Sequence, residues 1–203
     1  MRIFIAIPLP EEIKAHLLSL QQKLSSSYTA PKIGDSRPYN PKGYLQNPKS
    51  PWRPSKEEHM HLTLQFLGDE ATLHQTERIK EKMREISSSA SPFQIECTNV
   101  GAFPNAKNAR VLWVGAKGEG LVQLAKKVRE ECAKEGFSEG KPFSAHLTFA
   151  RSKFSQDASK FLEETNKTPL SLSWIANSFC LMQSDEILGG HEHNLLEKFE
   201  LKK

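Results

Sequence analysis

The sequence predicts an α+β fold built as two similar lobes that face each other. Strand-like alternation and helix-like spacing of apolar residues follow one another along the chain. The tripeptide His-Leu-Thr occurs at residues 61–63 and again at 146–148, one copy in each half. Each copy lies in a strand pattern with a helix pattern before it and another after it, which is the mark of an internal duplication. The 203 residues are 37% hydrophobic and 26% charged. That is enough apolar material for a real core and too much for a disordered chain.

Residues 2–8 read as a buried strand, a short isoleucine-rich run ended by Pro8 and Pro10. Residues 10–25 read as a helix. Pro10 suits its first turn, Glu11 and Glu12 suit its positive end, and Ile13, Leu17, Leu20 and Leu24 recur at helical spacing. Residues 25–55 change character: Pro31, Pro38, Pro41, Pro48 and Pro51 fall there with Gly34, Gly43 and several serines, which predicts a long loop, inserted at about 28–51. Tyr28, Tyr39, Tyr44 and Trp52 lie among Lys32, Arg37, Lys42, Lys49 and Arg53. Such a mix can stack on and neutralise a nucleic-acid strand. An insertion pinned down by a few aromatics accounts for it equally well.

Residues 60–67 alternate and read as a strand ended by Gly68-Asp69. Residues 71–88 read as an amphipathic helix with Leu73, Ile79, Met83 and Ile86 toward the core, followed by strands at 92–103 and 109–116 joined through Pro104-Asn105. A helix at 119–135 puts Leu121, Leu124, Val128 and Cys132 on one face. Then come a strand at 145–151, a short helix at 157–166, and strands at 170–183 and 194–201.

Composition narrows the function classes. A formal charge of +4 steers anions weakly, but no basic stripe is present to indicate nucleic acid by itself. Cys97, Cys132 and Cys180 are odd in number, far apart and without a CxxC pair, so they read as reduced, mostly buried thiols. The apolar start is too short and too soon broken by proline to be a signal peptide or a span, and no other stretch reaches spanning length. The expectation is a cytoplasmic monomer with no membrane partner.

Chemistry concentrates in the two His-Leu-Thr strands. Side chains alternate along a strand, so His61, Thr63 and Gln65 point one way while Leu62, Leu64 and Phe66 point the other. His146 and Thr148 likewise share a face, with Leu147 and Phe149 opposite. Each strand then buries an apolar face and presents an imidazole and a hydroxyl about 7 Å apart on the other. Imidazoles donate and accept protons near neutral pH, and hydroxyls hydrogen-bond non-bridging phosphate oxygens. Two such strands can flank one phosphorus atom and hydrolyse a phosphodiester with no metal and no cofactor.

These residues also match a known family. The sequence resembles the bacterial and archaeal RNA 2′,3′-cyclic phosphodiesterases, also called 2′-5′ RNA ligases, of the two-histidine phosphoesterase superfamily. Met1–Ile7 is similar to that family's first strand, and His61-Leu62-Thr63-Leu64-Gln65-Phe66-Leu67-Gly68 to its first HxTx motif. Pro104 with Arg110–Val114 is similar to its central strand, and Lys141–Arg151 to its second motif. The resemblance covers nearly the whole chain. Two departures stand out: the segment at about 28–51 is longer than the family pattern, and Ala145 stands where proline is frequent.

The resemblance implies a bilobal fold, with two pseudo-symmetric lobes of antiparallel sheet and outer helices around a central groove. It implies metal-independent hydrolysis of RNA 2′,3′-cyclic phosphate ends to 2′-phosphomonoesters, with reverse 2′-5′ ligation as a further activity. Carried over, His61 is the proton donor, His146 the proton acceptor, and Thr63, Thr148 and Arg151 bind the phosphate. Strict alternation, however, puts Arg151 on the face opposite His146, so it reaches the phosphate only if the strand bends or ends near Ala150.

Other readings remain open on the residues alone. The HxH pairs His59-Met60-His61 and His191-Glu192-His193 have the spacing of zinc ligands on a strand, although His59 reads as a solvent-facing strand entrance and His191 as part of a turn. A non-catalytic RNA-binding module, or a phosphodiesterase for a small cyclic nucleotide, would use the same groove. A serine nucleophile has no support, since no GxSxG elbow occurs.

Overall fold

The run Ile3–Ile7 forms β1 (Arg2–Pro8), and all five of those side chains are buried, as a strand covered on both faces requires. A computed structural model describes residues 2–27, 50–138, 140–187 and 190–202. The long segment expected as an inserted loop therefore lies, for residues 28–49, outside the described residues.

Helix α1 (Glu11–Ser27) begins where the Pro10 carbonyl accepts from the amides of Ile13 and Lys14. It buries Ile13, Leu17, Leu20 and Leu24, each contributing about 1.5–3 kcal/mol relative to exposure. A short strand β2 (Trp52–Pro54) and a single 3-10 turn (Glu57–His59) lead into β3 (His61–Gly68). Helix α2 (Leu73–Ser88) opens on a capping box: the Thr72 hydroxyl accepts from the Gln75 amide, and the Gln75 side chain accepts from the Thr72 amide. Strands β4 (Phe93–Phe103) and β5 (Ala109–Lys117) form a hairpin with a cis Phe103–Pro104 peptide. Then follow α3 (Glu119–Lys134), β6 (His146–Gln156), α4 (Ser159–Thr165), β7 (Ser173–Ala176), β8 (Ser178–Ile187) and β9 (Gly190–Glu200).

Four of these differ from the sequence reading. Trp52–Pro54, expected as loop, is a strand because it pairs with β6 at an edge, where proline is tolerated. The strand expected at 170–183 is two, since β7 pairs with β4 while β8 crosses to pair with β1. Pairing with β5 carries β6 on to Gln156. Pairing with β8 starts β9 at Gly190, so His191 lies in a strand and not in a turn, and His193 follows it there.

The strands make one sheet in the order β7-β4-β5-β6-β3-β1-β8-β9, with β2 also on β6. Its centre divides it. Strands β3, β1, β8 and β9 form one antiparallel lobe; β6, β5, β4 and β7 form the other. The lobes meet at a single paired position, Leu62 opposite Leu147. The duplication is interleaved: β4 follows β3 in the chain yet sits in the β6 lobe, and β8 follows β6 yet sits in the β3 lobe. The helices cross the junction as well, α1 packing on β6 and α3 on β3 and β4. Buried residues of both lobes accordingly form one continuous core. Among the described residues, no helix is long and apolar enough to cross a membrane.

Candidate active site

The junction pair sets the geometry of the site. With Leu62 opposite Leu147 in an antiparallel pair, His61 stands across from Thr148 and Thr63 across from His146. Directly opposed Cβ atoms are about 4.5–5.5 Å apart and diagonal ones about 7–8 Å. The two histidines are therefore diagonal neighbours, each flanked by the other strand's threonine. Leu62, Leu64, Leu147 and Phe149 are buried on the helix side, whereas His61, Thr63, His146 and Thr148 are only partly buried on the other face.

Both strands then depart from strict alternation at the same point. On β3, Ala6 pairs with Thr63 and Ile5 with Gln65, leaving Leu64 as an extra residue. On β6, Trp113 pairs with Thr148 and Leu112 with Ala150, leaving Phe149 extra. These are β-bulges, each three residues after its histidine, and each turns the following residues over. The expected facing of Gln65 and Phe66 is thereby reversed. Gln65 is buried, and Phe66, 49% exposed, lies against Phe4 on the histidine face with ring centroids 6.0 Å apart. The same reversal brings Arg151 onto the histidine face. It opposes Val111, which opposes Phe103, and the Phe103 ring touches His146 at 5.1 Å. Positions five residues after each histidine are thus equivalent, occupied by an aromatic in one lobe and a cation in the other.

A bulge leaves backbone groups that must find partners. The Phe149 carbonyl accepts from the Gln21 side chain at 2.7 Å and from the Ser55 amide at 2.9 Å, and the Gln21 amide nitrogen also donates to the Ser55 carbonyl at 2.8 Å. Gln21, buried on the core side of α1, therefore ties the bulge to the segment entering β3. In the other lobe the Gln65 side chain donates to the Phe66 carbonyl at 2.7 Å.

Each imidazole is fixed by the carbonyl side of its own strand entrance and by aromatic neighbours. His146 Nδ1 lies 2.7 Å from the Ser144 carbonyl, and His61 bonds the backbone of His59, also two residues earlier. An Nδ1–H donor there leaves Nε2 for the groove. The His61 ring stacks on Phe4 at 4.7 Å, and His146 is bordered by Phe103 and by Trp113 at 6.4 Å. Burial pushes the His61 pKa down to about 3, with the neighbouring His193 the next cause. Burial also lowers His146, and the Arg151 guanidinium lowers both histidines. One cation acting on both imidazoles agrees with their convergence. Burial lowers the pKa of Arg151 too, although part of its side chain meets solvent. The arrangement can hold a tetrahedral anion between two imidazoles, with two hydroxyls and one guanidinium directed at its oxygens.

The HxH pairs do not behave as two separate ligand sets. His59 stacks on His193 at 4.3 Å, and His193 lies 5.5 Å from His61. His59 is thus packed against a ring and is not a solvent-facing strand entrance. No three His, Cys, Asp or Glu side chains among the described residues are arranged to hold a metal ion. All three cysteines are free and buried, and burial pushes Cys97 up to about 11 and Cys132 up to about 12. They are inert as nucleophiles near neutral pH. Residues unremarked as site members in the sequence are Phe4, Phe66, Phe103, Trp113 and Gln21, while His193 is marked there only as a candidate metal ligand. Only Phe66, in the motif's Phe-Leu-Gly ending, carried a local signal.

The chain is similar in sequence and in fold to known proteins. A family model described as the 2′-5′ RNA ligase superfamily matches residues 46–187. The RNA 2′,3′-cyclic phosphodiesterase of Archaeoglobus fulgidus is 34% identical over 154 residues, 75% of this chain and 73% of that protein. The protein of the same name from Thermus thermophilus is 29% identical over 214 residues, 100% of this chain and 91% of its own. The crystal structure of TT0787 from Thermus thermophilus superposes with a TM-score of 0.74 at 26% identity, covering 99% of this chain and 98% of that one.

Proposed function

The chain belongs to the 2′-5′ RNA ligase superfamily, and we propose that it hydrolyses 2′,3′-cyclic phosphate ends of RNA to 2′-phosphomonoesters with a metal-independent histidine acid–base pair. The observation that carries the reading is the single junction pair, Leu62 opposite Leu147, which sets two His-x-Thr faces side by side. The names of the relatives supply the substrate class.

In this mechanism the phosphate sits between the strands, with the Thr63 and Thr148 hydroxyls and the Arg151 guanidinium on its non-bridging oxygens. His146, neutral, takes a proton from water as the water oxygen bonds to phosphorus. The bond from phosphorus to O3′ breaks, and His61 gives its proton to that oxygen. The products are a 2′-phosphomonoester and a free 3′-hydroxyl. His61 is neutral at pH 7 in the free protein, since its pKa is about 3. The phosphate anion beside it favours the imidazolium, so the donor acquires its proton as substrate binds. The ribose keeps its O2′–phosphorus bond and turns its freed 3′-oxygen to the His61 side, where Phe66 offers a half-exposed ring to a base. A 5′-hydroxyl in place of water would yield a 2′-5′ phosphodiester, which is the ligase direction.

The same reading takes residues 1–203 as one bilobal catalytic domain, with the segment at about 28–51 as an insertion; the continuous core favours this. It also takes the protein as a cytoplasmic monomer, in keeping with its unpaired thiols and with both HxT strands coming from one chain. The test is to supply an oligonucleotide ending in a 2′,3′-cyclic phosphate, with chelator, and identify the phosphomonoester by phosphorus NMR. A 2′-phosphate is expected, and His61→Ala or His146→Ala should abolish turnover in a folded protein. A 3′-phosphate product, or full activity in either variant, would reject the reading.

A further inference from the structure

A third imidazole lies against the proposed donor. His193, on β9, is 5.5 Å from the His61 ring and 5.0 Å from the Phe4 ring, and Phe4 itself stacks on His61. Strand β9 is three strands from β3 in the sheet order, so His193 reaches the site across β1 and β8. Its Nδ1 is buried with no hydrogen-bond partner. A buried polar atom left in that state costs stability and calls for a functional account. With His61 it lines a pocket of about 130 Å³.

We propose that His193 is a positioning residue for the donor: it fixes the His61 ring from the side opposite the junction and competes with it for one proton. This rests on the reading of His61 as the proton donor. Two imidazoles this close do not readily carry two positive charges, so the pair titrates as a unit. While the groove is free, a proton taken up in acid goes to His193, lowered to about 4, before His61, lowered to about 3. An anionic phosphate beside His61 reverses the preference, and the positive charge is then confined to the group that must give it up. The direction agrees with the electrostatics, since His193 lowers the pKa of His61.

Other groups bear on the pair from every side. The turn before β3 brings Glu58, which raises His193, and His59, which lowers it, and His191 on β9 lowers it further. Arg151 on β6 lowers His61. Helix α1 brings Lys14 and β8 brings Cys180 to the pocket, while β1 contributes Ala6 and Pro8, neither of them titratable. Among the groups lining that pocket, His193 has the ring directly against His61.

The experiment is an NMR titration of the histidine ring protons in the full chain, parent and His193→Phe, without substrate. His61 is expected to stay neutral down to about pH 4 in the parent and to take up its proton at higher pH in His193→Phe. His193→Gln, neutral and smaller, should move His61 the same way, and it keeps the test open should the Phe variant not fold. In the pH–rate profile the alkaline limb, where activity is lost as the donor deprotonates, should stay in place in His193→Phe, because His193, lowered to about 4, is already neutral there. In His193→Lys, which fixes the charge, it should shift downward. An unchanged His61 titration in both neutral variants, or limbs moving in one direction for Phe and Lys alike, overturns the proposal. Absence of turnover by the parent protein overturns the donor reading and the positioning role with it. The spectral coupling, which needs no substrate, tells that failure apart from a failure of the His61–His193 pairing.

Discussion

Replacing Gly101 with alanine should damage catalysis from a distance, because it pushes on the ring that borders the proposed base. Gly101 on β4 is the cross-strand partner of Trp113 on β5. A methyl built on Gly101 would lie within 2.8 Å of three carbons of the Trp113 ring. Carbon atoms prefer separations of about 3.5–4.0 Å, so the indole must retreat by roughly 1 Å. It cannot do so freely. Trp113 is packed against Phe103 at 5.1 Å and faces His146 at 6.4 Å, while Phe103 abuts His146 at 5.1 Å. Overpacking of this kind costs about 1–3 kcal/mol of stability. Displacing a catalytic group by about 1 Å costs on the order of 10²-fold in rate.

Steady-state kinetics on a 2′,3′-cyclic nucleotide, with thermal unfolding on the same samples, would measure both. Trp113→Phe in the Gly101→Ala background returns the lost space, so the double variant should recover much of the loss. That non-additivity is the signature of a shared contact. Wild-type activity in a folded Gly101→Ala protein, or a loss that Trp113→Phe does not relieve, would refute the reasoning.

Three further outcomes follow from the site. Gln21→Leu removes a buried hydrogen bond to the Phe149 carbonyl and a partly buried one to the Ser55 carbonyl and should destabilise by roughly 1–3 kcal/mol; chemical denaturation reads this, with a concurrent fall in kcat as Arg151 loses its placement. Arg151→Gln should lower kcat/KM by roughly 10- to 200-fold, the value of one hydrogen bond to a charged group, and should raise both histidine pKa values, which a shifted pH–rate profile would reveal. His61→Phe should make folding less acid-sensitive. The unfolded chain takes up this proton below 6.5, whereas the folded chain resists until about 3. Stability conferred by the neutral ring is therefore complete above pH 6.5 and falls away from there to about pH 3, by on the order of 5 kcal/mol at the acid end. Urea unfolding between pH 7 and pH 4 should show a shallower decline in the variant, and equal slopes would count against the burial argument.

Much of the architecture was legible in the sequence because apolar periodicity is a direct record of which face is buried. The strand at 2–8 and the four helices lie within about three residues of where spacing puts them. What spacing does not record is pairing. Trp52–Pro54 became a strand only because β6 offers it an edge, and Ser173–Ile187 became two strands because they serve different lobes. Long-range partners of this kind leave no local trace. The same holds for the contact of His193 with His61: each ends an HxH pair, but nothing local records that they meet across the sheet.

The two bulges mark where alternation stops being a guide. An extra residue at Leu64 or Phe149 changes no apolar pattern that a strand would not also show, since Leu64-Gln65 and Phe149-Ala150 are both buried as consecutive pairs. Yet that one residue decides whether position five after the histidine faces the helices or the groove. Because the bulge recurs in both lobes, the duplication survives as backbone geometry after the side chains have diverged. Phe66 and Arg151 occupy equivalent places and cannot do the same work: an aromatic ring stacks, whereas a guanidinium binds anions. The imidazoles are distinguished in the same way, His61 held by Phe4 and His193, His146 by Phe103 and Trp113. In the proposed mechanism a two-fold frame supplies two histidines on either side of one phosphorus. Unequal neighbours then separate acid from base, which a symmetric site would leave undetermined.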